Sequence, residues 1–281
     1  MASVDRLNVV SKTSTFMTLR EHLLENPLLK YQNNIFYEKD LHLNNAFEGV
    51  YLKLRIKENR IHPDEVVRHL PDLDRQHPNR KEWEMRKTTL QKLVRYLRSS
   101  GATSVLELGC GNGWLSYNLS NSLNAEICGV DVNESELIQA GRIFNGKENL
   151  CFLYTNIFSR VLKPKQFDAI VLGSSIQYFQ DLENLFTTLL DLVRSSGCIY
   201  IVDSPIYNDE AAASAAKIRS VKYFDSLGFS AMAQQYFHHT FEDLNNFNYE
   251  VRYNPNSLIS RIKRKLLGKP LSVFPIIVLK K

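Results

Sequence analysis

The stretch Val105-Leu-Glu-Leu-Gly-Cys-Gly-Asn-Gly113 decides how this chain is built. A short apolar run, Val105, Leu106 and Leu108, enters a loop with glycine at 109, 111 and 113, and Trp114-Leu-Ser-Tyr-Asn-Leu119 then reads as a helix. Glycine has no Cβ and adopts left-handed conformations freely. A strand, a glycine turn and a helix start therefore let backbone come close to a bound nucleotide. Asp131 closes the next apolar run, Ile127-Cys-Gly-Val-Asp131. A carboxylate about twenty residues beyond such a loop can accept both ribose hydroxyls of an adenosine. The bland alternative is that Asp131 only caps the helix that follows.

From Thr103 onward the pattern alternates. Strands are predicted at 105–108, 126–130, 150–154, 167–172 and 197–202, with helices at 114–123, 134–144 and 182–193. Short apolar strands separated by amphipathic helices indicate an α/β fold, a parallel sheet covered on both faces. Right-handed crossovers set its winding. Upstream, 78–99 is an amphipathic helix with Trp83, Leu90, Leu93, Val94 and Leu97 on one face. Downstream come helices at 209–227 and 230–241, strands at 247–253 and 271–279, and a short basic helix, Ile259-Ser-Arg-Ile-Lys-Arg-Lys-Leu-Leu267, between those strands.

The glycine spacing separates two kinds of nucleotide site. A dinucleotide fingerprint is G-x-G-x-x-G, with a pyrophosphate on the helix start. Here the spacing is G-x-G-x-G, and Glu107 precedes it. That pattern, E-x-G-x-G-x-G, resembles motif I of the class I S-adenosylmethionine-dependent methyltransferases of the bacterial small-molecule type. Ser174-Ser-Ile-Gln-Tyr-Phe179, Asp203-Ser-Pro-Ile-Tyr207 and Tyr236-Phe-His-His239 add to the likeness. Adenosylmethionine has no phosphate and carries an amine and a sulfonium, which suits an acidic lead-in.

The resemblance implies a Rossmann-like seven-stranded sheet whose last strand is inserted antiparallel. It makes residues 77–281 the methyltransferase domain and leaves 1–76 as an N-terminal helical extension, a lid over the strand carboxyl ends. It places Glu107, Gly109 and Gly111 at the methionine end of the cofactor, Asp131 on the ribose and Val132 on the adenine. Asn156 and Ile157 stand where many members have an acid for the adenine amine, and an amide carbonyl can accept that bond without charge. Gly173 and Ser174 would offer backbone to the cofactor amine.

Methyl transfer from a sulfonium needs proximity, orientation and water exclusion, and a base only when the nucleophile arrives protonated. Candidates at strand carboxyl ends are Gln177, Tyr178, Asp203 and Tyr207. His238 and His239 are placed to close over them, with core packing as the plain alternative. Asp203-Ser-Pro-Ile-Tyr207 resembles the D-P-P-Y motif of adenine amino-methyltransferases, yet it follows the fifth strand of the alternation, where that motif belongs after the fourth. No Pro-Cys nucleophile follows the fourth strand either. The expected acceptor is therefore a small molecule, a glycan or a lipid-linked intermediate, and nucleic acid is argued against. Two other functions stand beside this one: a non-catalytic adenosylmethionine-binding protein on the same fold, and a nicotinamide oxidoreductase.

Composition narrows the field further. The 281 residues are 44% hydrophobic, with a net charge of +5, too mild a bias to indicate nucleic acid by itself. No apolar run reaches the roughly 20 residues that span a bilayer. The N-terminus lacks a basic start followed by an apolar core. Cys110, Cys128, Cys151 and Cys198 lie in or beside apolar runs without a C-x-x-C pair. They read as reduced core residues of a cytoplasmic protein rather than disulfides or metal ligands. Arg261-Ile-Lys-Arg-Lys265 could meet an anionic substrate or a membrane surface, or be a solvated charged face.

Overall fold

The computed structural model describes residues 17–41, 45–267 and 271–281. The alternation read above becomes β3 (Ser104–Leu108), α5 (Trp114–Ser122), β4 (Glu126–Asp131), α6 (Glu134–Ile143), β5 (Leu150–Tyr154), β6 (Phe167–Gly173), α7 (Leu182–Leu192) and β7 (Val193–Val202). The late strands are β8 (Tyr249–Tyr253) and β9 (Ile276–Lys280), joined through α9 (Leu258–Leu267). β9 runs antiparallel between β7 and β8, as expected of the last strand. Neighbouring residues along a strand point to opposite faces. Val105, Ile127 and Val171 thus join one core layer with Leu93 and Leu97 of α4 (Arg80–Ser99), and with Leu119 and Leu137. Leu106, Cys128 and Leu172 join the other, with Leu185, Phe186 and Leu189 of α7. Both faces are dry, which explains the continuous apolar strands.

Among the described residues the sheet has nine strands rather than seven, in the order β1-β2-β5-β4-β3-β6-β7-β9-β8. The extra pair comes from the N-terminal segment expected to be helical. β1 (Leu29–Gln32) and β2 (Ile35–Glu38) form a hairpin, and β2 pairs parallel with β5. Its two-residue turn is Asn33-Asn34, with φ of +52° and +65°. Left-handed conformations at both positions match the twist of the strands, and asparagine tolerates them better than most residues. Ile35 and Phe36 are buried on opposite faces of the sheet. Leu19 and Leu23 of α1 (Leu19–Leu24) pack into the same core as Phe36.

The rest of the extension packs against later helices. α2 (Asn45–Lys57) and α3 (Asp64–Val67) lead into α4. Leu54 of α2 packs on Phe224 of α8 (Glu210–Leu227) and on Met232, with Tyr51, Tyr178 and Tyr236 against the same cluster. The helix expected over 230–241 is a 3₁₀ turn only as far as Gln235. Beyond it the chain runs extended, with Phe237 N–H donating to the Gln177 carbonyl and Tyr207 N–H to the His239 carbonyl. Residues 1–16 and 42–44 of the expected extension lie outside the described residues. No described helix is long and apolar enough to cross a membrane.

Because β2 is a strand of the sheet, its apolar residues should carry stability. Phe36→Ala removes a side chain that is 1% exposed and should cost about 3–5 kcal/mol, the usual range for a buried phenylalanine. A chemical denaturation midpoint equal to that of the parent would place the hairpin outside the cooperative core.

Candidate active site

Strand order reverses at β3, with β4 and β5 on one side and β6 and β7 on the other. In open α/β sheets ligands bind outside the carboxyl ends at such a point. A cavity of about 460 Å³ lies there, within the range usual for small-molecule and cofactor sites. The loops after β3, β4, β5 and β6 line it, and α2 and α4 wall it from above.

The glycine loop is held by its neighbours. Gly109 and Cys110 N–H both donate to the Val130 carbonyl, at 2.8 and 3.2 Å. Gly111 N–H donates to one Asp131 carboxylate oxygen at 2.7 Å, and Asn133 N–H donates to the other at 2.8 Å. Asp131 therefore ties the loop to the end of β4 while facing the cavity. Asn133, not Asp131, caps α6, its side chain accepting from Glu136 N–H. The loop glycines have φ of +78°, +51° and +75°, a region that costs other residues roughly 1–2 kcal/mol.

Of the residues expected on the cofactor, Gly109, Gly111, Asp131, Val132, Asn156, Ile157, Gly173 and Ser174 all line this cavity. Asn156 also accepts from Phe158 N–H, so its carbonyl shapes its own turn as well. Glu107 is not among the lining residues. It is buried beneath the loop, where it accepts a hydrogen bond from Ser116 of α5, and burial pushes its carboxyl up to about 8. Its contribution is to support the loop from behind.

The expected catalytic residues divide. Tyr178 lines the cavity, edge-on to Tyr51 and Tyr236 at ring distances of 5.9 Å. Asp203, His238 and His239 do not line it. Asp203 accepts from Thr89 of α4 at 2.7 Å, and its carbonyl accepts from Ser174 Oγ at 2.8 Å. His238 shares a hydrogen bond with Ser220 of α8, and His239 is buried under the loop after β6. The histidine pair thus packs behind the cavity wall instead of closing over it. Ser174 and Asp203, at the ends of β6 and β7, both hold positive φ, and such strain gathers at functional sites.

The upper walls carry residues that the sequence did not single out: Glu48, Tyr51, Arg55, Arg60, His62, Glu82, Trp83, Arg86 and, on α6, Glu136. Charges alternate across them. Glu58 meets Arg55 at 3.4 Å and Arg60 at 3.7 Å; Glu82 meets Arg60 at 2.9 Å and Arg86 at 3.1 Å. Arg86 then donates to Ser174 Oγ at 3.0 Å. This chain links the cover to the loop after β6. Trp83 and Trp114 meet edge to face at 5.0 Å. Burial holds His62 down to about 4, so its ring is neutral at physiological pH. Burial also raises Tyr51 and Tyr178, which stay protonated donors.

The donor set fits an adenosine that carries no phosphate. A carboxylate stands at the ribose position, and backbone comes close at the glycines. Asp131, Glu136 and Glu48 line the cavity together with Arg55, Arg60 and Arg86. Among the described residues no cluster of side chains could hold a metal ion.

Comparison with known proteins agrees with this geometry. The profile of a methyltransferase-domain family matches residues 99–248. The chain is 27% identical over 116 residues to the malonyl-[acyl-carrier protein] O-methyltransferase of Bacillus anthracis, spanning 41% of this chain and 42% of that one. It is 28% identical over 85 residues to the release factor glutamine methyltransferase of Fusobacterium nucleatum, spanning 29% and 24%. The chain thus matches less than half the length of either relative. Among solved structures, the plantazolicin methyltransferase BpumL in complex with SAH superposes with a TM-score of 0.52 at 17% identity, over 83% of this chain and 99% of that one. The YcgJ protein of Bacillus subtilis superposes at 0.51 and 14%, over 69% and 98%. At such identities the likeness is one of fold.

Two outcomes follow from the acids. Asp131→Ala leaves two backbone N–H groups without their acceptor, costing about 1–3 kcal/mol of stability, and it should also abolish the rise in melting temperature on adding adenosylhomocysteine. A variant that melts like the parent and keeps the full ligand shift would remove Asp131 from both roles. The second outcome concerns pH. Burial beside Asp131 pushes Glu136 from its ordinary 4.5 up to about 7. Unfolded, this carboxyl ionises near 4.5 while the folded protein holds its proton longer, so stability is lost as pH rises through that window. Glu136→Gln should raise the melting temperature of the ligand-free protein above the window and leave it nearly unchanged below; an equal effect at both ends would contradict the assignment.

Proposed function

The chain belongs to the methyltransferase-domain family, and we propose that it transfers the methyl group of S-adenosylmethionine to a small organic acceptor held between the aromatic walls above the glycine loop. The observation that carries this reading is a single cavity shared by the two halves of the site. Gly109, Gly111 and Asp131 line one part of it, and Tyr51, Trp83 and Tyr178 line the other.

When bound, adenosylmethionine would supply a methyl group already activated by its sulfonium. The chain's own residues hold and shield the reactants. Asp131 accepts the ribose hydroxyls, and Val132 and Ile157 pack against the adenine. Tyr51 and Tyr178 keep their protons and serve as hydrogen-bond donors to the acceptor. Neutral His62 and the carboxyl group of Glu136, raised to about 7, both line the cavity and could take a proton from an acceptor hydroxyl or amine. Arg55, Arg60 and Arg86 are each paired with Glu58 or Glu82, which suits an acceptor of low net charge. A free small molecule presents that chemistry, and so does the terminal group of a glycan or lipid-linked intermediate. The four cysteines are free thiols, in keeping with a cytoplasmic protein.

Calorimetry tests the cofactor half of this reading: adenosylmethionine and adenosylhomocysteine should bind and NAD should not. NAD binding without either adenosyl ligand would end it. Release of adenosylhomocysteine in the presence of fractionated cell extract tests turnover, and binding without any release would favour a non-catalytic binding protein. For the acceptor half, Tyr178→Phe should lower kcat/KM by roughly three- to tenfold, the worth of one hydrogen bond, with cofactor affinity unchanged. A loss of cofactor affinity instead would put Tyr178 on the wrong side of the site.

A further inference from the structure

α9 is the part of the molecule that neither the core nor the site uses. At 100° per residue, Leu258, Ile259, Ile262 and Leu266 fall within an arc of about 100°. All four are exposed, Leu258 at 72% and Leu266 at 79%. The opposite side of the helix meets the protein through Ser260, which is buried. The apolar stripe is therefore the face turned outward. Arg261 and Lys265 are exposed beside it.

Charge in this region is one-sided. Glu250 is the last acid of the chain and is paired with Arg252 and Lys280; five further lysines and arginines fall between residues 261 and 269, on and just after α9. The whole chain is only +5, so the preceding 250 residues are net negative. The connection that carries the helix is tied down at its two ends. Tyr253 Oη, at the end of β8, donates to the Ser272 carbonyl at 2.8 Å, and Lys92 of α4 lies 3.1 Å from the Tyr253 ring centre. Sheet topology gives its position. Ile277 pairs with Ile201, and Ile276 with Tyr253. The β8–β9 connection that carries α9 therefore leaves the sheet at the carboxyl end of β7, the end on which the cavity lies.

We propose that α9 docks the protein on an anionic membrane surface, its apolar stripe in the acyl boundary and its basic residues at the lipid headgroups. An exposed apolar arc flanked by cations is the arrangement that binds such an interface. A second copy would bring two basic faces together. A nucleic acid would satisfy the charges and leave the apolar stripe in water. Docking in this way sets the carboxyl end of the sheet toward the bilayer. The inference does not depend on the methyl-transfer reading.

Co-sedimentation of the full chain with lipid vesicles tests it. Binding is expected to mixed phosphatidylcholine–phosphatidylglycerol vesicles, and not to phosphatidylcholine alone. It should be lost at about 1 M salt, where charges are screened beyond about 3 Å. Ile262→Ser/Leu266→Ser should weaken binding by roughly tenfold or more. Arg261→Ala/Lys265→Ala should weaken it about fivefold for each charge removed. All four side chains are exposed, so melting temperature and adenosylhomocysteine affinity should match the parent, which separates failure here from failure of the cofactor assignment. Three results would overturn the proposal: no preference for anionic vesicles, a dimer in sedimentation equilibrium that the serine pair splits without any vesicle binding, or duplex DNA binding that the serine pair leaves unchanged.

Discussion

The carboxylate of Asp131 is the point on which the site depends. It accepts from the backbone of Gly111 and of Asn133, and so joins the glycine loop to the start of α6. Gly111 can offer its N–H in that direction because its φ of +51° is open to glycine. An aspartate in bulk water would gain little from two such bonds. Half-buried at the carboxyl end of β4, it gains from both, and they offset part of the cost of its desolvation. The same oxygens keep further lone pairs for a ligand. One side chain thus shapes the loop and faces the cavity beside it.

Around that point the acids do different work according to depth. Glu107 is buried under the loop against Ser116 and never meets the cavity. Glu136 faces the cavity, and a Cβ added at Gly111 would lie 3.3 Å from its carboxylate. That contact is with the end of a flexible side chain, so the glycine is needed there chiefly for conformation. Glu58 and Glu82 sit further out, where paired arginines hold them in a line from α2 to Ser174. That line joins α2 to the carboxyl end of β6.

The N-terminal segment serves two purposes. Its hairpin extends the sheet beyond β5 and buries Ile35 and Phe36, so this part is structure. Its helix α2 carries Tyr51 and Arg55 over the carboxyl ends, so that part is site.

The sequence by itself determined the α/β core, the glycine loop and Asp131. Those are local matters: hydrophobic period separates strand from helix, and glycine spacing with an acid at a set distance is written along the chain. The sequence also carried the signal for the hairpin, Asn33-Asn34 between two short apolar runs, but four-residue strands are too short for their period to stand out. Only the tertiary structure decided the upper walls. Tyr51, His62 and the Trp83–Arg86 pair lie far apart along the chain and meet because α2, the segment after it and α4 come together at one cavity. It also decided that Glu107 faces α5 and not the cavity, and that His238 and His239 lie behind the wall. The face a side chain presents depends on what packs against its element, and that is not encoded in the neighbours of any one residue.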